Sequence, residues 1–308
     1  MHRTIELAVA ADAADRLVAE LRRIDGVVGL SHHRGASIVP PGDVVAVHTL
    51  NRAADEVLRT AAQARLRGPL SVVTAEVASI SDPEHQHAID RDIDEALWEE
   101  LETGLRHQGR ITANFLLLMA LGGAIAAAGA LGEPAVAALA YVASAIIAPG
   151  FEPIAKLPLG LVLKRTEVFV AGLVSTLAGY AVLIAAAAAT YWVLAALKAV
   201  EPAAFLEGDA LRHTLEPDAM ILAIAAAGAL AGTIIQAAYR RSVIAGALVA
   251  LRLIEAAAVA GIALALGRAE LVAAALGRLA IDVGFVVAAG LLVFGLKQAL
   301  VHRRAPLH

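Results

Sequence analysis

The chain has no cysteine, which excludes disulfides and thiolate metal sites. Charge is sparse: Asp, Glu, Lys and Arg make up 18% of the 308 residues, and the net charge of -4 includes no basic tract of the kind that binds nucleic acid. Catalytic signatures are also missing. There is no HExxH, GxSxG, Walker or GxGxxG pattern, so an enzyme, a resident cofactor or a catalytic metal is not expected. The opening residues, MHRTIELAVAADAADRL, hold no long apolar run and carry Glu6 early. A signal peptide is therefore not expected, and the N-terminal region is expected to stay in the cytosol.

What is present is hydrocarbon. Apolar residues form 59% of the chain and mean hydropathy is +0.72. Near Arg110 the pattern changes, and residues 111–300 become long apolar runs joined by short charged loops. A helix of roughly 20 apolar residues crosses about 30 Å of bilayer core. The runs predict about six spans: Ile111–Leu131, a short Pro134–Ile147, Thr166–Leu197, Ala219–Tyr239, Val243–Leu266 and Leu271–Leu300. The fold class expected is an α-helical polytopic membrane bundle with an N-terminal cytosolic α+β domain. The organisation expected is 1–80 for that domain, 81–109 for an acidic linker helix and 110–308 for the membrane region.

In the first third, Thr4–Ala10 alternates as a strand. Asp12 can cap a helix carrying Ala14, Leu17, Val18, Leu21 and Ile24, and Gly26 ends it. Val27–Ser37 and Asp43–Leu50 read as strands around Pro40-Pro41-Gly42. Asn51 can cap a helix to about Leu66, and Leu70–Ser79 alternates again. The order βαββαβ predicts a ferredoxin-like sandwich. Asp82-Pro83 then opens a polar helix to about His107. Its Ile89, Ile93, Leu97, Leu101 and Leu105 form a narrow stripe. Asp90, Asp92, Asp94, Glu95, Glu99, Glu100 and Glu102 read as a solvated acidic face, or as a cation-sensing surface. His32-His33 point to opposite faces of a strand, and His85 and His87 near Asp82 read as solvated linker rather than as a metal site.

Loop charges give an orientation. Arg106, Arg110, Lys156, Lys164, Arg165, Arg240, Arg241, Lys297, Arg303 and Arg304 fall on the N-terminal side of the membrane, against Lys198, Arg212 and Arg268 on the other. This positive-inside bias places both termini in the cytosol, in a bacterial inner membrane. Tyr191-Trp192 and Tyr239 suit the interface. Six spans also divide into three plus three, so an inverted repeat is expected. Glycine and alanine runs such as Gly122-Gly123 and Ala256–Ala258 predict close helix contacts.

Some residues could carry chemistry. Pro149, Gly150 and Pro153 cannot continue a regular helix, and a break at membrane depth lines protein or water. Glu152 sits within it, with Lys156 nearby as a partner. Arg252 and Glu255 share one face of the fifth span, and Arg278 and Asp282 share one of the sixth. Each charge costs roughly 2.5–3.5 kcal/mol in lipid, so pairing between helices is expected: Arg252 with Asp282, Glu255 with Arg278. Asn114, Thr233 and Gln236 read as interhelical hydrogen-bonding groups.

Asn114, residues 145–154 (Ala-Ile-Ile-Ala-Pro-Gly-Phe-Glu-Pro-Ile) and residues 259–264 (Val-Ala-Gly-Ile-Ala-Leu) carry a resemblance: from Arg110 onward the chain is similar to the uncharacterised hydrophobic domain family of bacterial and archaeal membrane proteins (domain of unknown function 389). Members of that family tend to carry a small or apolar residue at the position of Glu152 and a proline pair where this chain has Ile254-Glu255. The resemblance implies an oligomeric membrane protein, often with an extra cytosolic domain, and assigns no substrate.

Two functions follow as expectations. One is a transporter or channel for a small ion or solute, gated by its cytosolic domain, with Glu152, Glu255 and Asp282 as cation or proton groups, Arg252 and Arg278 as their counter-charges and Asn114 beside them; an anionic substrate held by the two arginines is the alternative cargo. The other is a membrane-anchored sensor or scaffold. The partners expected are the lipid bilayer, a small ion or solute and further copies of the chain.

Overall fold

The computed structural model describes residues 2–65, 68–77, 79–93, 95–238 and 243–301, without the side chains of residues 202, 204, 209, 210, 213 and 243–249. Asp94, Tyr239, Arg240, Arg241, Arg303 and Arg304 lie outside the described residues. The chain divides into two compact units, Met1–Leu101 with Lys297–His308, and Glu102–Leu296.

In the first unit the chain runs β1 (His2–Val9), α1 (Ala11–Leu21), β2 (Val27–Ile38), β3 (Pro41–Thr49), α2 (Asn51–Arg65), β4 (Leu70–Val77) and α3 (Gln86–Asp90). The strands form one antiparallel sheet in the order β2-β3-β1-β4. Alternation sets its buried face. Ile5 lies opposite Val47 and Leu7 opposite Val45, and these pack with Leu17 and Leu21 of α1 and Val57, Leu58 and Ala61 of α2. Gly42 follows the hairpin turn with φ +151, and a Cβ there would lie 2.0 Å from the Val9 carbonyl oxygen, so no larger residue fits.

The helix starts differ from the expected caps. α1 begins after Ala10 with no side-chain cap, and Asp12 sits in its first turn. Asn51 does not cap α2 either. Its amide group instead donates to the Ile93 and Glu95 carbonyls, while the Asp92 carboxylate accepts from the Asn51 and Arg52 backbone N–H groups at 2.6 and 3.2 Å. A carboxylate at a helix N-terminus meets both unpaired donors and the dipole. The continuous helix expected from Asp82 to His107 is broken into α3 and α4 (Trp98–Gln108), because the intervening residues serve as this cap.

Much of the acidic run is correspondingly drawn out of solvent, although Asp90 stays exposed. Arg3 continues the buried row of β1 and is fully buried, with Glu100 3.0 Å away. Burial pushes the Glu100 carboxyl above its ordinary range, against the pull of Arg3. His2 lies 3.3 Å from Asp92, and Glu95 pairs with Lys297, whose ammonium also sits 5.6 Å from the centre of the buried Trp98 ring. Of the leucine–isoleucine stripe, Ile89, Leu97, Leu101 and Leu105 are buried but Ile93 is exposed.

The second unit is helical: α5 (Ala113–Ala130), α6 (Pro134–Ile147), α7 (Phe151–Val162), α8 (Thr166–Ala196), short α9 (Pro202–Leu206) and α10 (Asp209–Leu215), α11 (Ala219–Ala237), α12 (Val243–Ala265) and α13 (Ala269–Leu300). Among the described residues α5, α8, α11 and α13 are each long and apolar enough to cross a bilayer, and α6 with α7 makes a fifth if the bent pair is one span. The expected short second span is thus the first limb of a broken helix. α8 is the packing centre, in contact with α5, α7 and α12. A Cβ on Gly123 of α5 would stand 2.3 Å from the Leu183 carbonyl oxygen, and one on Gly261 of α12 would stand 2.4 Å from that of Ile184. Glycine at both points lets two backbones touch α8 on successive residues.

Helix ends are closed locally. After α7, Lys164 takes φ 56, with Lys164 N–H donating to Leu161 and Arg165 N–H to Gly160. After α8, Lys198 takes φ 56, with its N–H donating to Ala195 and that of Ala199 to Leu194. Both are left-handed terminating turns with a cation beside the last carbonyls.

Two outcomes follow. Gly123→Ala and Gly261→Ala are each expected to destabilise the bundle by about 1–3 kcal/mol in a detergent unfolding titration. Gly277→Ala and Gly284→Ala, where nothing lies within 4 Å of the new Cβ, should not. In the β2–β3 hairpin, Asp43 accepts from Gly35 N–H at 2.9 Å and lies 2.7 Å from His32 Nε2, contacts that hold its carboxyl below the ordinary 3.8. A lowered folded pKa gives stability that is present above the unfolded value and lost as pH falls through the folded one. Hydrogen exchange of the hairpin should therefore accelerate relative to the sheet core below about pH 4, and Asp43→Asn should abolish that acceleration.

Candidate functional site at a broken helix

The break between α6 and α7 bends the chain by 53°. Ala148 is extended, with φ -83 and ψ 124, as the residue before a proline must be. Pro149 and Gly150 form the corner, and Gly150 N–H turns back to the Ala148 carbonyl at 2.8 Å. Pro153 falls in the first turn of α7, where its missing N–H removes no helical bond. Pro158 also lies inside α7.

Side chains from other helices hold the break. Tyr180 of α8 donates its hydroxyl to the Gly150 carbonyl at 3.2 Å, and that hydroxyl oxygen would stand 2.9 Å from a Cβ added at Gly150. Ser144 donates to the Gly122 carbonyl at 2.6 Å and ties α6 to α5. Glu152 is half-buried in the first turn of α7, where the helix dipole favours a carboxylate. Lys156 was expected in an inner loop, paired to Glu152. It is instead 3% exposed, and its ammonium donates to the Gly109 carbonyl at 2.6 Å, at the end of α4. A cation there meets a carbonyl left open by the helix terminus.

The four charges of the later spans are paired within their own helices rather than between them. Arg252 Nη1 donates to Glu255 Oε2 at 2.8 Å. Arg278 binds Asp282 through two parallel bonds, Nε to Oδ2 and Nη2 to Oδ1, each 2.9 Å. The reason is reach: partners three or four residues apart on one helix are already neighbours, so each acid is neutralised by a base that travels with it. Glu255, Arg278 and Asp282 are all buried, at 6%, 4% and 3% exposure. The two pairs nevertheless form one electrostatic array. Asp282 feels Arg252 and Glu255 as well as Arg278, Tyr180 feels both Glu152 and Asp282, and Tyr141 feels Glu255 and Arg252.

Thr214 gave no signal in the sequence. It belongs to α10, in the connection between α8 and α11, and donates its hydroxyl to Glu255 Oε1 at 2.8 Å. Phe205, Leu211 and Thr214 are buried, and α10 packs on α12, so this connection is not a simple outer loop. Tyr141 and Tyr180 carry a signal in the sequence: they are two of four tyrosines in the chain, and they stand mid-helix instead of at span ends. Other expected members do not join. Asn114 is exposed, and α5 is capped by Thr112, whose hydroxyl oxygen accepts from Phe115 N–H at 3.1 Å. Thr233 donates to Ala229 on its own helix at 2.8 Å and so bridges no helices; Gln236 is half-buried on the same helix.

Outside this unit, His85 Nδ1 lies 2.9 Å from Asp82 Oδ2 at the start of α3. His32 is engaged by Asp43, while His33 is exposed.

By length and composition, then, this is a membrane-embedded helical protein with a small antiparallel sheet unit at its N-terminus. Residues 145–288 match the family model described as Domain of unknown function (DUF389). The match begins just before the helix break and ends just beyond Asp282. No curated protein and no solved structure matches the chain.

The pairing has a measurable consequence. Arg278→Met leaves Asp282 as a buried, uncompensated acid and is expected to cost about 3–5 kcal/mol in detergent unfolding, whereas Arg278→Met with Asp282→Leu should cost far less. Glu255→Gln combined with Arg278→Met should show much weaker coupling than Arg278→Met with Asp282→Leu, because Glu255 and Arg278 share no direct hydrogen bond.

Proposed function

We propose that the protein is a non-enzymatic membrane transporter or channel for a small ion or solute, with the N-terminal unit regulating it. The observation that carries this reading is the array of Glu152, Glu255, Asp282, Arg252 and Arg278 gathered with Tyr180 around a broken helix inside an apolar bundle. Charges in such surroundings are expensive and mark pathways or binding sites more often than stability devices. Broken helices near the midplane are a recurring way to expose carbonyls and helix ends to a transported species.

Several finer expectations belong to this proposal. Six spans follow if α6–α7 is one and α12 is another; a three-plus-three division then sets α5, α6–α7 and α8 against α11, α12 and α13. The strand order β2-β3-β1-β4, with its two crossovers through α1 and α2, supports a ferredoxin-like sandwich. Cytosolic termini, a bacterial inner membrane and a homo-oligomer complete the reading. One observation favours the alternative, a membrane-anchored sensor or scaffold: each buried acid already has a base on its own helix. Such pairs satisfy a static core as well as a moving one.

Ion flux into proteoliposomes holding the full chain separates the two. Wild type should conduct or exchange a small ion above empty vesicles, and Glu255→Gln, which keeps shape but removes the charge, should reduce the flux at least tenfold. Equal and negligible flux from both would leave the scaffold.

A further inference from the structure

The short helix α10, in the connection between α8 and α11, has two unlike faces. Leu211 and Thr214 are buried, while Arg212 and the C-cap residue Glu216 are exposed. A charged side chain is too costly to leave against lipid, so the outer face of α10 meets water. The inner face meets α12, on which α10 packs. There the Thr214 hydroxyl donates to Glu255 Oε1 at 2.8 Å, and both residues are buried, at 3% and 6% exposure. Glu255 is far from the end of its own helix. It lies ten residues before Ala265, about 15 Å along the axis of α12, in a stretch that is buried throughout from residue 253 to residue 263. Its other oxygen, Oε2, accepts from Arg252. One short helix therefore stands between water and a carboxylate deep in the bundle, and a hydroxyl of that helix occupies the oxygen that Arg252 leaves open.

We infer that α10 is a lid over Glu255 and that Thr214 is its latch. The inference rests on the transport reading and gives it a route: a species in water reaches Glu255 past α10, from the side of the α8–α11 connection. The ends of the helix suit this part. α10 starts from an extended Gly208, and Pro217 follows its C-cap, so neither end continues into another helix and α10 can move as a unit. Lifting it breaks the Thr214 bond and frees Glu255 Oε1. Arg252 stays on Oε2 throughout, because it sits three residues away on the same helix. Thr214 is thus a positioning residue, which holds the lid closed through the buried carboxylate.

The chain has no cysteine, so a single introduced thiol reports access to water. Ala258 is fully buried and lies three residues beyond Glu255, on the same face of α12. Ala258→Cys is made in the full chain and placed in lipid nanodiscs, where both membrane faces meet water. Its reaction with a charged methanethiosulfonate is then timed. Labelling should be slow while Thr214 is in place. Thr214→Val, which keeps the shape and removes the donor, should accelerate it about tenfold, the change expected for losing one hydrogen bond to a charged acceptor. Thr214→Ser keeps the hydroxyl and should leave labelling slow. If Thr214→Val does not fold, Thr214→Ala takes its place and must accelerate labelling likewise. Fast labelling of the Ala258→Cys parent overturns the lid. Equal rates in the parent and in the hydroxyl-free variant overturn the latch, as do equal rates in Thr214→Ser and Thr214→Val. Flux in proteoliposomes separates this from the transport reading. Accelerated labelling without ion flux keeps the lid and removes transport; ion flux with labelling unmoved by Thr214→Val keeps transport and removes the lid.

Discussion

Backbone contact at α8 is the constraint on which the second unit depends. Lipid supplies no hydrophobic force between helices, so the bundle gains its packing energy from close approach. Gly123 and Gly261 admit α5 and α12 to the carbonyls of Leu183 and Ile184, successive residues of α8. With α12 set against α8 in this way, Tyr180, one turn earlier on α8, reaches the corner at Gly150. Adding a single methyl group at either glycine would push the backbones apart, and the hydrogen bond that holds the broken helix would go with them.

A second economy governs the charges. Arg252–Glu255 and Arg278–Asp282 are completed within single helices. Each pair can therefore form before tertiary packing and enter the bundle already neutral. Thr214 of α10 then fills the remaining oxygen of Glu255, a bond that exists only once the helices are assembled.

The first unit uses charge differently. Arg3 is carried into the core by the alternation of β1, and Glu100 follows it there. Asp92 closes the N-terminus of α2 from 41 and 40 positions further along the chain than the Asn51 and Arg52 N–H groups it accepts from. Asp92, Glu95, Glu100 and Glu102, in a run of acids that reads as solvated, are engaged by caps and ion pairs, because buried donors must find acceptors wherever the chain passes.

Much of this was legible in the residue pattern. The strands of the first unit and the long helices of the second follow from alternation and from apolar length, which are local properties. The break at Pro149 and Gly150 was also readable, since proline forbids the continuing helix whatever surrounds it. The partners of charged groups were not. The pairing of Arg278 with Asp282 rather than with Glu255, the Lys156 bond to Gly109 and the reach of Thr214 to Glu255 depend on distances between side chains, and spacing along the chain constrains those only within one helix. The sequence by itself determined which segments seek lipid and where a helix must stop, because hydropathy and backbone sterics act over a few residues. Tertiary structure alone decided which buried donors and acceptors meet and which are left over, because a hydrogen bond requires its two atoms to lie within about 3 Å.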